Sequence, residues 1–273
     1  MLCAPGAGRV RGLRGGPGLK GVDARHAGPG MAHKMTRNLK RKELSRTKLE
    51  LFCSCPRCFY DDVALGLKRP SSPPFTLNIA VDELLKREFD QHRAAGTPHP
   101  LCAAEPALAG VVPFPHAELD AWRYNFTGVR WQHPGNGWTL YGAVDDVWVQ
   151  PDGTVLVVDY KATARVEAVS TAGLYDSYRR QAEVYQFLLA QQGLRVADTA
   201  WFVYANGDKT RAGFGGELKF RMDLVPYVGD RSWVQGRFEQ AVACAEGTVR
   251  PPAAEGCEWC AYVERRAGLD TSL

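Results

Sequence analysis

The sequence predicts a one-domain α/β sandwich, on three observations. An amphipathic helical stretch covers Thr76 to Arg93, strand-like runs cluster at 124–132, 138–149 and 154–161, and a long helical stretch follows over Thr171 to Gln192. Helices, then a β-meander, a helix, strands and a closing helix is the element order of layered α/β architecture.

Each element has a local reason. Leu44 to Gly66 reads as a helix capped by Ser45 or Thr47, anchored by Leu49, Phe52 and Phe59 and broken near Pro56. Lys68 to Pro74 is a Pro/Ser loop. The 76–93 helix carries Leu77, Val81, Leu84, Leu85 and Phe89 along one stripe. Ala94 to Pro115 has Pro and Gly scattered through it and gives no clear pattern. Tyr124 to Gln132, Trp138 to Val149 and Thr154 to Lys161 alternate or are β-branched, as are Asp198 to Ala205 and Leu218 to Val225. Asp230 to Glu246 reads as the final helix, ahead of a Pro-rich loop.

The net charge of +4 hides an asymmetry. Residues 1–44 hold ten Lys/Arg against two Asp/Glu, leaving the remainder with 24 against 28. The expected layout is a disordered basic Gly/Arg-rich leader over 1–35, a folded domain over 36–265 and a tail over 266–273. A basic arm can add sequence-independent affinity for phosphates. No apolar run is long enough to span a bilayer and Met1 to Gly30 lacks the apolar centre of a signal peptide, so no membrane and a cytoplasmic location are expected.

Three segments carry carboxylate chemistry. They are Gly142-Ala-Val-Asp145-Asp146, then Asp159-Tyr160-Lys161 after Val155–Val158, then Gln181-Ala-Glu-Val-Tyr185. Asp159 and Lys161 are two apart on a strand and share a face. A three-residue Pro151-Asp152-Gly153 loop with Gly153 left-handed sets Asp145 opposite Asp159, whereas a two-residue Asp-Gly turn would set Asp146 there. Opposed carboxylates destabilise a bare sheet, and a hard divalent cation reverses that. Gln181 and Tyr185 lie one helical turn apart, with Tyr178 nearby.

This order resembles the RecB-like branch of the PD-(D/E)XK nuclease superfamily, whose pattern is Gly-x-x-Asp, Asp-Tyr-Lys after an apolar strand, and Gln-x-x-x-Tyr on a helix. Gly142/Asp145, Asp159/Tyr160/Lys161 and Gln181/Tyr185 match, and the segment running from Leu44 to Cys55-Pro56 is similar to that family's N-terminal helix. The resemblance covers about residues 44–262. It implies a restriction-endonuclease-like core, a central mixed β-sheet flanked by helices. It also implies a Mg²⁺- or Mn²⁺-dependent deoxyribonuclease. Asp145 and Asp159 would hold the metal, Lys161 would act on water or on transition-state charge, and Gln181 and Tyr185 would contact nucleic acid or brace the lysine. The family often has a metal-ligating His on an early helix. Here Asp82, which borders the apolar stripe, stands at that place, while Glu83 reads as a solvated partner of Lys86 and Arg87. The implied partners are DNA and a helicase or other repair or defence protein, since the chain has no helicase motifs. The alternative is a nucleic-acid-binding module of the same fold with little or no cleavage.

Cys55-Pro-Arg-Cys58 and Cys257-Glu-Trp-Cys260 are two C-x-x-C pairs. C-x-x-C lets two thiolates share one ion, and two pairs complete a tetrahedral set for Zn²⁺. A [4Fe–4S] cluster also takes four thiolates. The resemblance extends to relatives with an iron–sulfur staple joining the domain's ends, which usually supply one cysteine upstream and three downstream. This chain has two and two; a [4Fe–4S] cluster is the expectation, with Zn²⁺ as the alternative. Cys53 is a spare ligand, and Cys3, Cys102 and Cys244 are expected to bind nothing. A thiol redox protein is the third reading, and the position of the pairs at the chain's ends argues against it.

Overall fold

A computed structural model describes Leu39 and residues 41–270; the basic leader and Cys3 lie outside the described residues. The elements are β1 (Glu43–Ser45), α1 (Arg46–Ser54), α2 (Pro56–Val63), α3 (Thr76–Ala95), α4 (Pro100–Ala103), β2 (Val112–Pro113), α5 (Leu119–Arg123), β3 (Val129–Gln132), β4 (Thr139–Gly142), β5 (Asp146–Val149), β6 (Val155–Thr163), α6 (Asp176–Ala190), β7 (Thr199–Gly207), β8 (Phe220–Val228), α7 (Trp233–Glu246) and α8 (Glu258–Asp270).

The central sheet has the order β2-β5-β6-β7-β8, with β6 and β7 parallel and the other neighbours antiparallel. It is therefore mixed, as expected. A smaller sheet, β1-β4-β3, stands beside it, with β1 parallel to β4. The expected strand 138–149 is thus two strands in different sheets, β4 and β5, parted at Ala143–Asp145. Of 124–132 only Val129–Gln132 is extended, and Leu119–Arg123 before it is helical.

Strand alternation divides the core. Val155 and Val157 of β6 face one apolar cluster, with Val184, Tyr185 and Leu188 of α6 and Val234 and Phe238 of α7. Leu156, Val158 and Tyr160 face the other, with Leu85 and Phe89 of α3 and Cys102 of α4. Each fully buried phenylalanine such as Phe89 or Phe238 contributes roughly 1.5–3 kcal/mol relative to exposure. The two clusters hold the central sheet between helical layers.

The helix starts follow their local chemistry. Ser45 caps α1 by accepting the Lys48 N–H at 3.3 Å. Pro56 opens α2 at a position where a missing N–H costs nothing. α3 departs from expectation at two members of its stripe. Leu85 and Phe89 are buried and Val81 packs partly buried against them, but Leu77 is 57% and Leu84 60% exposed, so only Val81, Leu85 and Phe89 of the stripe pack on the core. α7 is not the last helix, because α8 follows the Pro-rich loop and runs past residue 265 to Asp270. Among the described residues no helix is long and apolar enough to cross a membrane.

Candidate active site

The β5–β6 hairpin fixes the geometry. Gly153 has φ +83°, a left-handed value open to glycine, and Gln150 N–H donates to the Thr154 carbonyl at 2.9 Å. The loop therefore has three residues, and the ladder runs Val149↔Val155 to Asp146↔Val158. One step further, beyond the ladder's last pair, Asp145 stands across from Asp159. Asp145 Oδ2 accepts the Tyr160 N–H at 3.0 Å, which ties its carboxylate to β6.

Asp146 points the other way. It ion-pairs with Arg93 of α3 and with Arg123 of α5 at 2.6 Å, and accepts the Tyr160 hydroxyl at 2.7 Å. Two guanidinium groups and a phenol satisfy this fully buried charge, so its role is to lock α3 and α5 to the sheet.

Asp159 is buried, and its carboxylate has no backbone N–H or hydroxyl donor among the described residues. Its charge is met by an ion pair with Lys161. Burial pushes its carboxyl up to about 7, Lys161 opposes the rise and Asp145 adds to it. Burial works against the Lys161 ammonium, yet the carboxylates of Asp159 and Asp145 hold its pKa above the ordinary lysine value. The Lys161 Nζ lies 4.6 Å from the centre of the Tyr178 ring.

α3 brings Asp82 to this group. Lys86 Nζ lies 2.8 Å from Asp82 and 3.9 Å from Asp145, bridging helix and hairpin. Burial, and then Asp145, raise the Asp82 carboxyl, so the two acids feel each other. Lys86 thus differs from its expected pairing with Glu83, whose partner is Arg87 at 3.6 Å. Its spacing of four residues from Asp82 is the signal in the sequence. Asn78, Asp82, Lys161 and Tyr178 line a cavity of about 110 Å³ here.

On α6, Gln181 Nε2 donates to the Tyr185 hydroxyl at 3.3 Å, and both side chains are buried. Tyr185 packs on Gly142: a Cβ there would meet Tyr185 Cε1 at 2.8 Å and the Arg46 Cβ at 3.1 Å. Glycine at 142 therefore lets the tyrosine lie against the turn that delivers Asp145. Arg46, whose Nε is buried without a hydrogen-bond partner among the described residues, carries no motif that would single it out in the sequence. Glu183 is engaged elsewhere, by Tyr227 at 2.5 Å and Trp233 at 2.7 Å.

Asp82, Asp145 and Asp159 offer carboxylate oxygens of the kind that suit Mg²⁺ or Mn²⁺, but here they are linked through Lys86 and Lys161, and among the described residues only the four cysteines converge closely enough to hold an ion as they stand. Among the described residues the counter-charges to these acids are Lys86 and Lys161.

The second centre lies between α2 and α8. The sulfurs of Cys55, Cys58, Cys257 and Cys260 are all within 4.8 Å of one another. Cys55–Cys260 is 3.8 Å, Cys58–Cys257 3.7 Å and Cys58–Cys260 3.5 Å. Zn–S bonds of about 2.3 Å make a tetrahedron with edges of about 3.8 Å. The four sulfurs are therefore spaced close to the edges of one tetrahedral thiolate site. Burial pushes the Cys55 thiol up, but N–H groups of Ala254 and Cys58 outweigh it and hold it at about 6. Arg69 approaches the Cys257 sulfur at 3.5 Å. Cys53 and Cys102 lie outside this group, and burial raises both thiols.

A family model described as the PD-(D/E)XK nuclease superfamily matches residues 75–265. No curated protein matches the chain. A solved structure titled "Crystal structure of SSO0001" is 12% identical, covering 77% of this chain and 79% of that chain, with a TM-score of 0.38.

Proposed function

The chain belongs to the PD-(D/E)XK nuclease superfamily, and we propose that it is a Mg²⁺- or Mn²⁺-dependent deoxyribonuclease acting through Asp82, Asp145, Asp159 and Lys161. The observation that carries this reading is Asp159: a buried carboxylate across from Asp145 whose partner is the Lys161 ammonium, with no backbone or hydroxyl donor among the described residues. Burying such a group without full partners is costly, so the fold holds it for a use.

Asp145 and Asp159 would hold the metal from the hairpin, with Asp82 from α3. The ion would polarise a phosphoryl oxygen and lower the pKa of a bound water. Lys161, confined between Asp159 and the Tyr178 ring, presents ammonium protons to an attacking water or to charge developing on the phosphate. Tyr160 N–H orients Asp145, and the Gln181–Tyr185 pair braces the turn at Gly142. Lys86 neutralises Asp82 and Asp145 when no metal is bound, and would move aside on loading. The four-cysteine centre is proposed to hold one structural Zn²⁺. The resemblance to helicase-linked and CRISPR-associated exonuclease domains supports a role in DNA repair, recombination or defence beside a separate motor protein.

The test is cleavage of labelled DNA by the purified full chain with Mg²⁺ or Mn²⁺ against EDTA. Asp159→Ala and Lys161→Ala should each cut at least about 10²-fold more slowly while circular dichroism is unchanged. A parent that binds DNA and never cuts it points to the binding-module alternative. Variants that cut as fast as the parent would show the site assignment to be wrong.

A further inference from the structure

A second polar pocket lies further along the same sheet face. In the parallel β6–β7 ladder Asp159 faces Phe202, Lys161 faces Tyr204 and Thr163 faces Asn206. Side chains at these alternate positions share one face, so Asn206 continues the line that starts at Asp159. Four residues of strand separate Asp159 from Thr163, about 13 Å. Tyr204 sits between, paired across the ladder with Lys161.

Asn206 is 2% exposed, and neither its amide nitrogen nor its amide oxygen has a hydrogen-bond partner among the described residues. Buried amides in native folds are almost always paired, so an orphan that lines a cavity points to an absent ligand. The cavity, about 320 Å³, is rimmed by Arg165, Lys209 and Arg221. Arg221 lies directly across the ladder from Asn206 and is held by Asp223 of its own strand at 3.1 Å. Arg165 donates to the Tyr175 hydroxyl at 2.9 Å, and Lys209 has no carboxylate partner among the described residues. The nearby acid, Asp208, has one carboxylate oxygen taken by the Thr210 N–H and hydroxyl, at 2.9 and 2.7 Å. The β7–β8 connection above the pocket is rich in glycine, carries Lys209, Arg211 and Lys219, and exposes Phe214.

We propose that this pocket binds a backbone phosphate of the DNA strand a few nucleotides from the scissile bond, with the Asn206 amide donating and Arg165, Lys209 and Arg221 supplying charge. A phosphate has the acceptors an orphan amide lacks and the negative charge three cations select. The pocket's place on the same sheet face as the carboxylates lets one strand span both. This inference rests on the nuclease reading, and it would make these residues positioning residues, since none reaches the reacting phosphate.

The experiment uses the full chain and a short fluorescein-labelled single strand, with binding read by anisotropy in EDTA across a salt series and cleavage read in Mg²⁺. Arg165→Gln/Lys209→Gln, at exposed positions, should weaken binding about five- to tenfold. It should also flatten the slope of log affinity against log salt by about 0.7 for each phosphate no longer neutralised. KM should rise while kcat stays near the parent value. Asn206→Asp should behave alike. A strand with one uncharged methylphosphonate linkage, moved position by position, should lose affinity at one flanking site in the parent and lose nothing further there in Asn206→Asp. A parent that binds and cuts, with variants matching it in affinity, salt slope and KM, would overturn the subsite alone. A parent that neither binds nor cuts would overturn the nuclease reading and this inference with it.

Discussion

Gly142 is where two motif segments meet in space. The missing Cβ admits the Tyr185 ring, and Tyr185 is held in turn by Gln181. Gly142→Ala would force that ring or the Arg46 stem to shift, at a cost of about 1–3 kcal/mol. The expected outcome is a lowered denaturation midpoint in Gly142→Ala and a much smaller penalty when the same change is made in Tyr185→Ala. Additive penalties would mean that packing of the ring on Gly142 is not the cause. At this scale much is legible in the sequence. The Pro151-Asp152-Gly153 loop sets the register, and with it the choice of Asp145 over Asp146 as the neighbour of Asp159. Lys86 is not legible in the same way, because the sequence offers it two carboxylates at helical spacing and only the fold shows that Asp82 turns inward with it.

At the scale of elements, the hydrophobic pattern locates most helices and strands but not their partners. Residues 138–149 read as one strand because both halves alternate; the change of sheet at Ala143–Asp145 leaves no mark in periodicity. β2 is unreadable for a different reason, being two residues long and ending in proline. α4, in the same stretch, turns on His99. Its Nδ1 accepts the Leu101 N–H at 3.1 Å and its Nε2 sits 2.9 Å from Glu88, while its ring stacks on Phe89 at 4.0 Å. Those contacts require the neutral Nε2–H tautomer. Burial lowers the His99 pKa, Glu88 partly opposing. The folded chain therefore resists a proton that the unfolded chain accepts near its ordinary value of about 6.5. Stability from this site is complete above that value and is lost as pH falls through the lowered folded pKa. Urea midpoints should drop between neutral and mildly acid pH. His99→Asn, which can still cap α4 but does not titrate, should show a shallower drop. Equal pH dependence in both proteins would assign the acid sensitivity elsewhere.

For the whole molecule the decisive feature is the joining of the domain's two ends. α2 and α8 are brought together by four sulfurs, with Cys55 and Cys260 separated by 205 positions. Arg250–Asp61 at 2.5 Å and Arg57–Glu264 at 2.6 Å run alongside, but both are exposed pairs of the kind worth little in water. The ordering cost of so long a closure grows slowly with length yet is already large. Structural zinc sites supply roughly 10–16 kcal/mol of apparent binding energy, which outweighs it. The carboxylate site is built from different elements, α3 and the β5–β6 hairpin, so the two centres should separate in a mutant. Cys257→Ser should lose metal and melt several degrees lower, while the fraction that remains folded keeps its turnover with Mg²⁺. Elemental analysis of anaerobically purified parent should find about one zinc per chain with no iron or sulfide. Four irons with sulfide would assign the centre to a cluster instead. Unchanged melting in Cys257→Ser would leave α8 held by its packing and ion pairs rather than by metal.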